Sequence, residues 1–141
     1  MGRRSAELPM TVHRFTSPGL HDGGFAHGAE VSAGSLVYTA GLSPLDDDGR
    51  IVGADDPVAQ TVRAIECLDI LLGDHASLRS ALIKVTVYVA TSDAEVLGTI
   101  WRTADATFAG HTPPAIVVGV TALPYPGQVV EIEAVFAKDQ P

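Results

Sequence analysis

Residues 113–137 read PPAIVVGVTALPYPGQVVEIEAVFA. Two apolar segments flank Leu123-Pro124-Tyr125-Pro126-Gly127, a run of turn-forming residues, and the pattern predicts a hairpin. The second segment alternates. Val130, Ile132, Ala134 and Phe136 fall on one face, and Val129, Glu131, Glu133 and Val135 on the other. Two carboxylates two residues apart on an otherwise apolar strand are the most unusual chemical feature of the chain. The face that carries them is too apolar for open water and too charged for a closed core, so its cover has to be sought elsewhere in the sequence.

Moving toward the N-terminus, residues 93–108 carry an apolar stripe of Leu97, Ile100, Trp101, Ala104 and Phe108, a helical spacing. Ser92 and Glu95 stand at capping-box spacing before it. Gly98 inside the helix costs about 1 kcal/mol against alanine, which predicts close packing there. Residues 82–89, LIKVTVYV, form a strand with Ile83, Val85, Val87 and Val89 on one face and Lys84, Thr86 and Tyr88 on the other. A helix over 57–72 has Asp56 as N-cap, Pro57 in the first position, a stripe of Val58, Val62, Ile65, Leu68 and Leu72, and Gly73 placed to end it. Residues 29–42 read as a second hairpin turning at Gly34-Ser35. Residues 1–24 read as an N-terminal arm with a short strand around Met10–Phe15, and residues 25–141 as a single domain.

The domain order is β-β-α-β-α-β-β, an α+β fold with two helices packed on one face of a mixed sheet. The opposite face carries Lys84, Thr86, Tyr88, Glu131 and Glu133 among valines, and the expectation is that other subunits bury it.

The totals agree with this. The 141 residues are 46% hydrophobic and 18% charged, with a positive mean hydropathy. No apolar run approaches the ~20 residues that span a membrane. The N-terminal arginines precede no apolar stretch of a secretory signal. A single cysteine, Cys67, points to a reducing, cytoplasmic setting. A net charge of −8 with scattered Lys and Arg argues against nucleic acid as the partner.

The residues resemble the RidA/YjgF family, the reactive-intermediate deaminase superfamily. The matching pieces are Phe25-Ala26-His27-Gly28, Leu36 to Gly41, Pro44-Leu45-Asp46 with Gly49 and Ile51-Val52-Gly53, Gln60, Lys84 to Val89, Pro113-Pro114, Leu123-Pro124 and Val130 to Ala134. Their order and spacing carry the likeness more than any one of them. The resemblance implies a chorismate-mutase-like subunit, a homotrimer with small-molecule ligands in clefts between subunits, and no cofactor. It also implies hydrolysis of imines and enamines to a carbonyl compound and ammonia, although some members are described as endoribonucleases or translation inhibitors.

Carried over residue by residue, the resemblance assigns Glu131 to positioning or activating the attacking water, and the family's glycine is retained as Gly41. Phe25 stands where a typical deaminase has tyrosine, and Ala40 where it has serine. The arginine that grips a substrate carboxylate is replaced by Ala115 or Ile116, depending on whether one counts from Leu123-Pro124 or from Glu131. Trp101 lies near the place of an asparagine. Such a pocket implies a less carboxylate-selective imine hydrolase. The alternatives are a non-catalytic binding module for an uncharged metabolite and, against the charge, a nuclease.

Other residues carry weaker chemistry. Lys84 is a candidate ion-pair partner for Glu131. Side chains two apart on a strand lie ~7 Å apart, too far for a shared-proton dyad. His13, His21, His27, His75 and His111 are dispersed without metal-ligand spacing, so no metal site is expected. His27 and His111, near the implied cleft, could supply a proton or simply face water. Asp46-Asp47-Asp48-Gly49 lacks calcium-loop spacing and reads as a turn.

Overall fold

The computed structural model describes residues 12–19, 21, 26–32 and 34–138. Its elements are β1 (Val12–Phe15), β2 (Gly28–Val31), β3 (Ser35–Tyr38), α1 (Pro57–Asp74), a 3-10 turn Arg79–Ala81, β4 (Leu82–Ala90), α2 (Ala94–Phe108), β5 (Ala115–Val120) and β6 (Val130–Lys138). Two helices and a mixed sheet were expected, and the same order of elements is present, preceded by β1.

The pairing differs from the two hairpins that local sequence suggested. The main sheet has four strands in the order β3-β6-β4-β5, and β1 and β2 form a separate antiparallel pair. β5 and β6 are not partners: β4 lies between them, parallel to β5 and antiparallel to β6. The reason is α2, which carries the chain across the sheet after β4 and returns it parallel, as a βαβ crossover does. Likewise Gly34, at φ 112°, leads from β2 in one sheet to β3 in the other, where β3 pairs with β6. Turn residues mark where a chain changes direction and say nothing of which strand it next meets.

Both helices pack on one face of the main sheet. The core joins Ala64, Ile65, Leu68 and Leu72 of α1 and Ile100, Ala104 and Phe108 of α2 to Val85, Val87, Val89, Val130, Ile132 and Phe136 of the sheet. The alternation expected for β6 holds from Val130 to Phe136, and Ala137 after it is buried as well. In β4 a register irregularity between Leu82 and Lys84 places Leu82 in the core and leaves Ile83 half-buried. On α1, Val58 and Val62 are exposed, and the buried stripe starts instead from Gln60 and Thr61. Asp56 caps α1 through the N–H groups of Val58 and Ala59, but the helix runs past Gly73 to Asp74. Asp93, not Ser92, caps α2. Gly98 is not tightly packed: an added Cβ would meet only the Arg102 guanidinium, at 3.4 Å.

Arg14 fastens the small sheet to the large one. Its guanidinium donates to the carbonyls of His111, Thr112, Arg79 and Leu82 at 3.0–3.2 Å, joining β1 to the starts of β4 and of the segment entering β5. Arg79 in turn makes a bidentate pair with Asp69 at 2.9 and 2.8 Å, so the corner is tied to α1.

The second face of the main sheet stays open in a single chain. Leu36 (42% exposed), Tyr38 (71%), Ile116 (48%) and Val118 (38%) stand on it with Lys84, Thr86, Tyr88, Glu131, Glu133 and Val135. This is the surface that required a cover in the sequence. Among the described residues, no helix is long and apolar enough to cross a membrane.

Candidate active site

Glu131 sits near the start of β6, on the open face and half-buried. Its surroundings come from the segment after β3. Thr39 pairs with Ala134 through its main-chain N–H at 2.9 Å, and Leu42 pairs with Ile132 in both directions at 2.6 and 3.1 Å. Three residues on one side therefore span two on the other, a bulge that pushes Ala40 and Gly41 out of the ladder. Gly41 comes to rest against the Glu131 carboxylate. A Cβ at that position would lie 2.7 Å from both Cδ and Oε2. A side chain here would have to displace the carboxylate from this position.

The carboxylate is also held by a hydrogen bond. Ser43 Oγ donates to Glu131 Oε1 at 3.1 Å, and Gln128 Nε2 donates to Ser43 Oγ at 3.0 Å. Gln128, only 4% exposed, stands at the end of the loop before β6. Neither residue stands out in the sequence: Ser43 follows the bulge in an irregular stretch, and Gln128 precedes a strand whose pattern starts one residue later. The Cys67 thiol, half-buried on α1, approaches the Ser43 carbonyl at 3.9 Å.

Lys84 is not the partner of Glu131. It opposes Val135 on β6, while Glu131 opposes Tyr88. Four residues along β4 separate the two charges by ~13 Å. Tyr88 instead donates its hydroxyl to Glu133 Oε2 at 2.9 Å. That bond, then slight desolvation and the charges of Glu133 and Glu131, raise the Tyr88 pKa above the ordinary tyrosine value. The phenol thus stays a neutral donor near neutral pH.

The remaining candidates fall into separate places. Gly41 lies against Glu131 because the Leu42–Ile132 pairing brings the segment after β3 alongside β6, with Ala40 next to it in the bulge. Ala115 and Ile116 lie on β5, beyond β4, about 10 Å from β6 across two strand spacings. Their faces differ. Ala115 pairs with the buried Val85 and faces α2, where it lines a pocket of about 280 Å³ with Leu97, Gly98, Trp101 and Val117. Ile116 pairs with Thr86 on the open face, the face that carries Glu131. Trp101 therefore lies on the helix side of the sheet, away from Glu131. Phe25 lies outside the described residues.

Ile116 also lines an open cleft of about 310 Å³ with His27, Gly28, Ile83, Lys84 and Pro114. His27 is engaged at both ring nitrogens. Nδ1 accepts from the Ser17 main-chain N–H at 2.8 Å, and Nε2 donates to the His21 carbonyl at 3.0 Å. A main-chain N–H can only donate and a carbonyl only accept, so His27 is a neutral tautomer that clasps its own loop. His111 is exposed, and its carbonyl holds Arg14. The Asp46–Gly49 segment is the turn expected of it. Asp46 Oδ1 accepts from the Asp48 and Arg50 main chain, and the Arg50 bond leads in lowering its pKa. Among the described residues no group of three His, Cys, Asp or Glu is placed to hold a metal ion.

Comparison with known proteins places this arrangement among relatives. Residues 22–138 match the family model described as Endoribonuclease L-PSP. Protein DfrA of Myxococcus xanthus is 28% identical over 113 residues, 80% of this chain and 84% of that protein. A structure of YyfB from Yersinia pestis, described as a protein of unknown function in the conserved Rid family, superposes with a TM-score of 0.78 at 25% identity, covering 89% of this chain and 98% of that one. TdcF of E. coli, solved with bound serine, gives 0.64 at 25% identity, covering 89% and 93%. Two helices on one face of a mixed sheet, shared with these structures, make an α+β chorismate-mutase-like fold.

Proposed function

The chain belongs to the endoribonuclease L-PSP (Rid) family, and from that premise we propose that it hydrolyses small imines or enamines in clefts formed between subunits, without selecting strongly for a carboxylate. The observation that carries this reading is the fixed Glu131 carboxylate, braced by Ser43 on one oxygen and by the bare backbone of Gly41 beside it. A carboxylate so held can accept a proton from a water as that water adds to the C=N carbon. Glu131 returns that proton to nitrogen to give the carbinolamine, then passes the hydroxyl proton to the amine as the C–N bond breaks, and a carbonyl compound and ammonia leave.

Ile116 supports the loss of carboxylate selection. Of the two positions open to the family's arginine, it is the one on the face of Glu131, and an alkyl side chain cannot pair with an anion. Lys84, in the same cleft, offers a point charge on a flexible stem in place of a rigid bidentate fork. The serine bound by TdcF suggests a ligand of amino-acid size. The open face, with Leu36, Tyr38, Ile116 and Val118 exposed, supports a homotrimer in which a neighbour's β5 side meets Glu131. Light scattering is expected to return three times the chain mass, and a stable monomer overturns the intersubunit cleft.

The assay is release of ammonia from short-lived imines made from amino acids and from amines with no carboxylate. Acceleration is expected for both classes, with kcat/KM differing by less than about tenfold, the worth of ~1.4 kcal/mol. A preference above a thousandfold for the carboxylate-bearing imines defeats the loss of selection. No acceleration for any imine defeats the hydrolase reading and leaves a binding module for an uncharged metabolite.

A further inference from the structure

Gln128 and Ser43 are not accounted for by the family site, and their hydrogen bonds run in one direction only. Gln128 Oε1 accepts from the main-chain N–H of Tyr125 at 3.2 Å. Gln128 Nε2 donates to the Val130 carbonyl at 3.1 Å and to Ser43 Oγ at 3.0 Å. Because the Tyr125 group can only donate and the Val130 group can only accept, the amide cannot be flipped. Ser43 Oγ thus receives a proton from Gln128, and its own proton points to Glu131 Oε1 at 3.1 Å. A serine hydroxyl is otherwise a free rotor that could equally accept. Here burial of Gln128 and its two main-chain contacts set the rotor before any ligand arrives.

We infer that Gln128 and Ser43 are positioning residues for Glu131: Ser43, oriented by Gln128, engages Oε1 and leaves Oε2, beside Gly41, as the oxygen that takes the proton from water. Oε2 accepts no hydrogen bond from the described residues. This rests on the hydrolase reading above. The arrangement resembles the orienting group behind a catalytic base, with the difference that it acts on a carboxylate through a hydroxyl.

Kinetics of the full chain test it with Ser43→Ala, Ser43→Thr, Gln128→Met and the double Ser43→Ala/Gln128→Met. Ser43→Ala is expected to lower kcat about tenfold with KM within about twofold, the signature of a contact that matters in the transition state. Ser43→Thr, which keeps the hydroxyl, should recover to within about threefold of wild type. The double variant should fall no more than about twofold below Ser43→Ala, since both changes act through one bond. Additive losses, or an effect on KM alone, overturn the assignment.

A second readout needs no activity. In crystals of Ser43→Ala, the Glu131 carboxylate should leave its single position beside Gly41 or occupy more than one rotamer. If it stays as in the wild type, the positioning claim fails even in an active enzyme. If it moves in a protein that hydrolyses no imine, the hydrolase reading fails and the positioning claim stands.

Discussion

The Glu131→Gln protein is expected to hydrolyse its best imine about 10²–10³-fold more slowly than wild type, the range that general-base catalysis contributes. The substitution is a demanding test because it changes almost nothing else. Glutamine keeps the length and shape that fit beside Gly41, where even one added carbon would lie 2.7 Å from the side chain. Its amide oxygen can still accept from Ser43, so the bond at 3.1 Å has a successor. What is lost is an anionic oxygen able to take a proton. The side chain is half-buried at the end of a strand, so the melting temperature should stay within a few degrees. Steady-state ammonia release, with thermal melts and light scattering in parallel, measures this. Equal rates in the two proteins would remove Glu131 from the mechanism.

A loss of stability is expected from Gln60→Leu, about 3–5 kcal/mol at fixed protein concentration, at the upper end for a single substitution. Gln60 is fully buried on α1 and uses its whole hydrogen-bonding capacity. Nε2 donates to the carbonyls of Gly53 and Gly127 at 2.9 and 2.8 Å, and Oε1 accepts from the N–H groups of Val129 and Val130 at 2.7 and 3.1 Å. One side chain therefore satisfies main-chain groups from the loop before α1 and from the entry to β6. Leucine fits the volume, but it strands those polar groups away from water, at about 1–3 kcal/mol for each one left unpaired. Gln60→Glu should be no better, because a second acceptor oxygen would face the two carbonyls. Urea denaturation followed by circular dichroism decides it. A loss below about 1 kcal/mol would mean that the loops relax to other partners. Since Gln60 also aligns the residues that carry Gln128, the same change should lower activity even where the protein remains folded.

The contrast between these residues shows how far local pattern reaches. Asp56 and Pro57 announced the start of α1, and the alternation from Val130 to Phe136 announced which side of β6 would be buried. These follow from groups close in sequence: a capping carboxylate acts on the next turn, and a strand's period is two whatever lies beside it. Gln60 is not part of the apolar stripe that spacing picked out, yet it is in the core, while Val58 and Val62 of that stripe are outside. A helical stripe is centred by what the helix packs against, and here the neighbouring loops present polar main chain. The two expected hairpins failed for the same reason. Pro and Gly report a turn, but α2 and the four-stranded order determine the partner.

For the site, the sequence nominated Glu131 as a candidate and showed that Ala115 and Ile116 offer no cation to a substrate; that Gly41 lies against Glu131 came from the fold. The sequence also required a cover for the second face of the sheet, because the composition of β4 and β6 is the same in any arrangement. Only the tertiary structure separated Ile116 on that face from Ala115 against α2, since one residue of register reverses the side of a strand. Only it brought Ser43 to Glu131 and Gln128 to Ser43, across separations of 88 and 85 residues. Hydrogen bonds between side chains leave no period in a sequence. They exist where the bulge at Ala40-Gly41 and the loop ending at Gln128 happen to converge, and that convergence is a property of the folded chain.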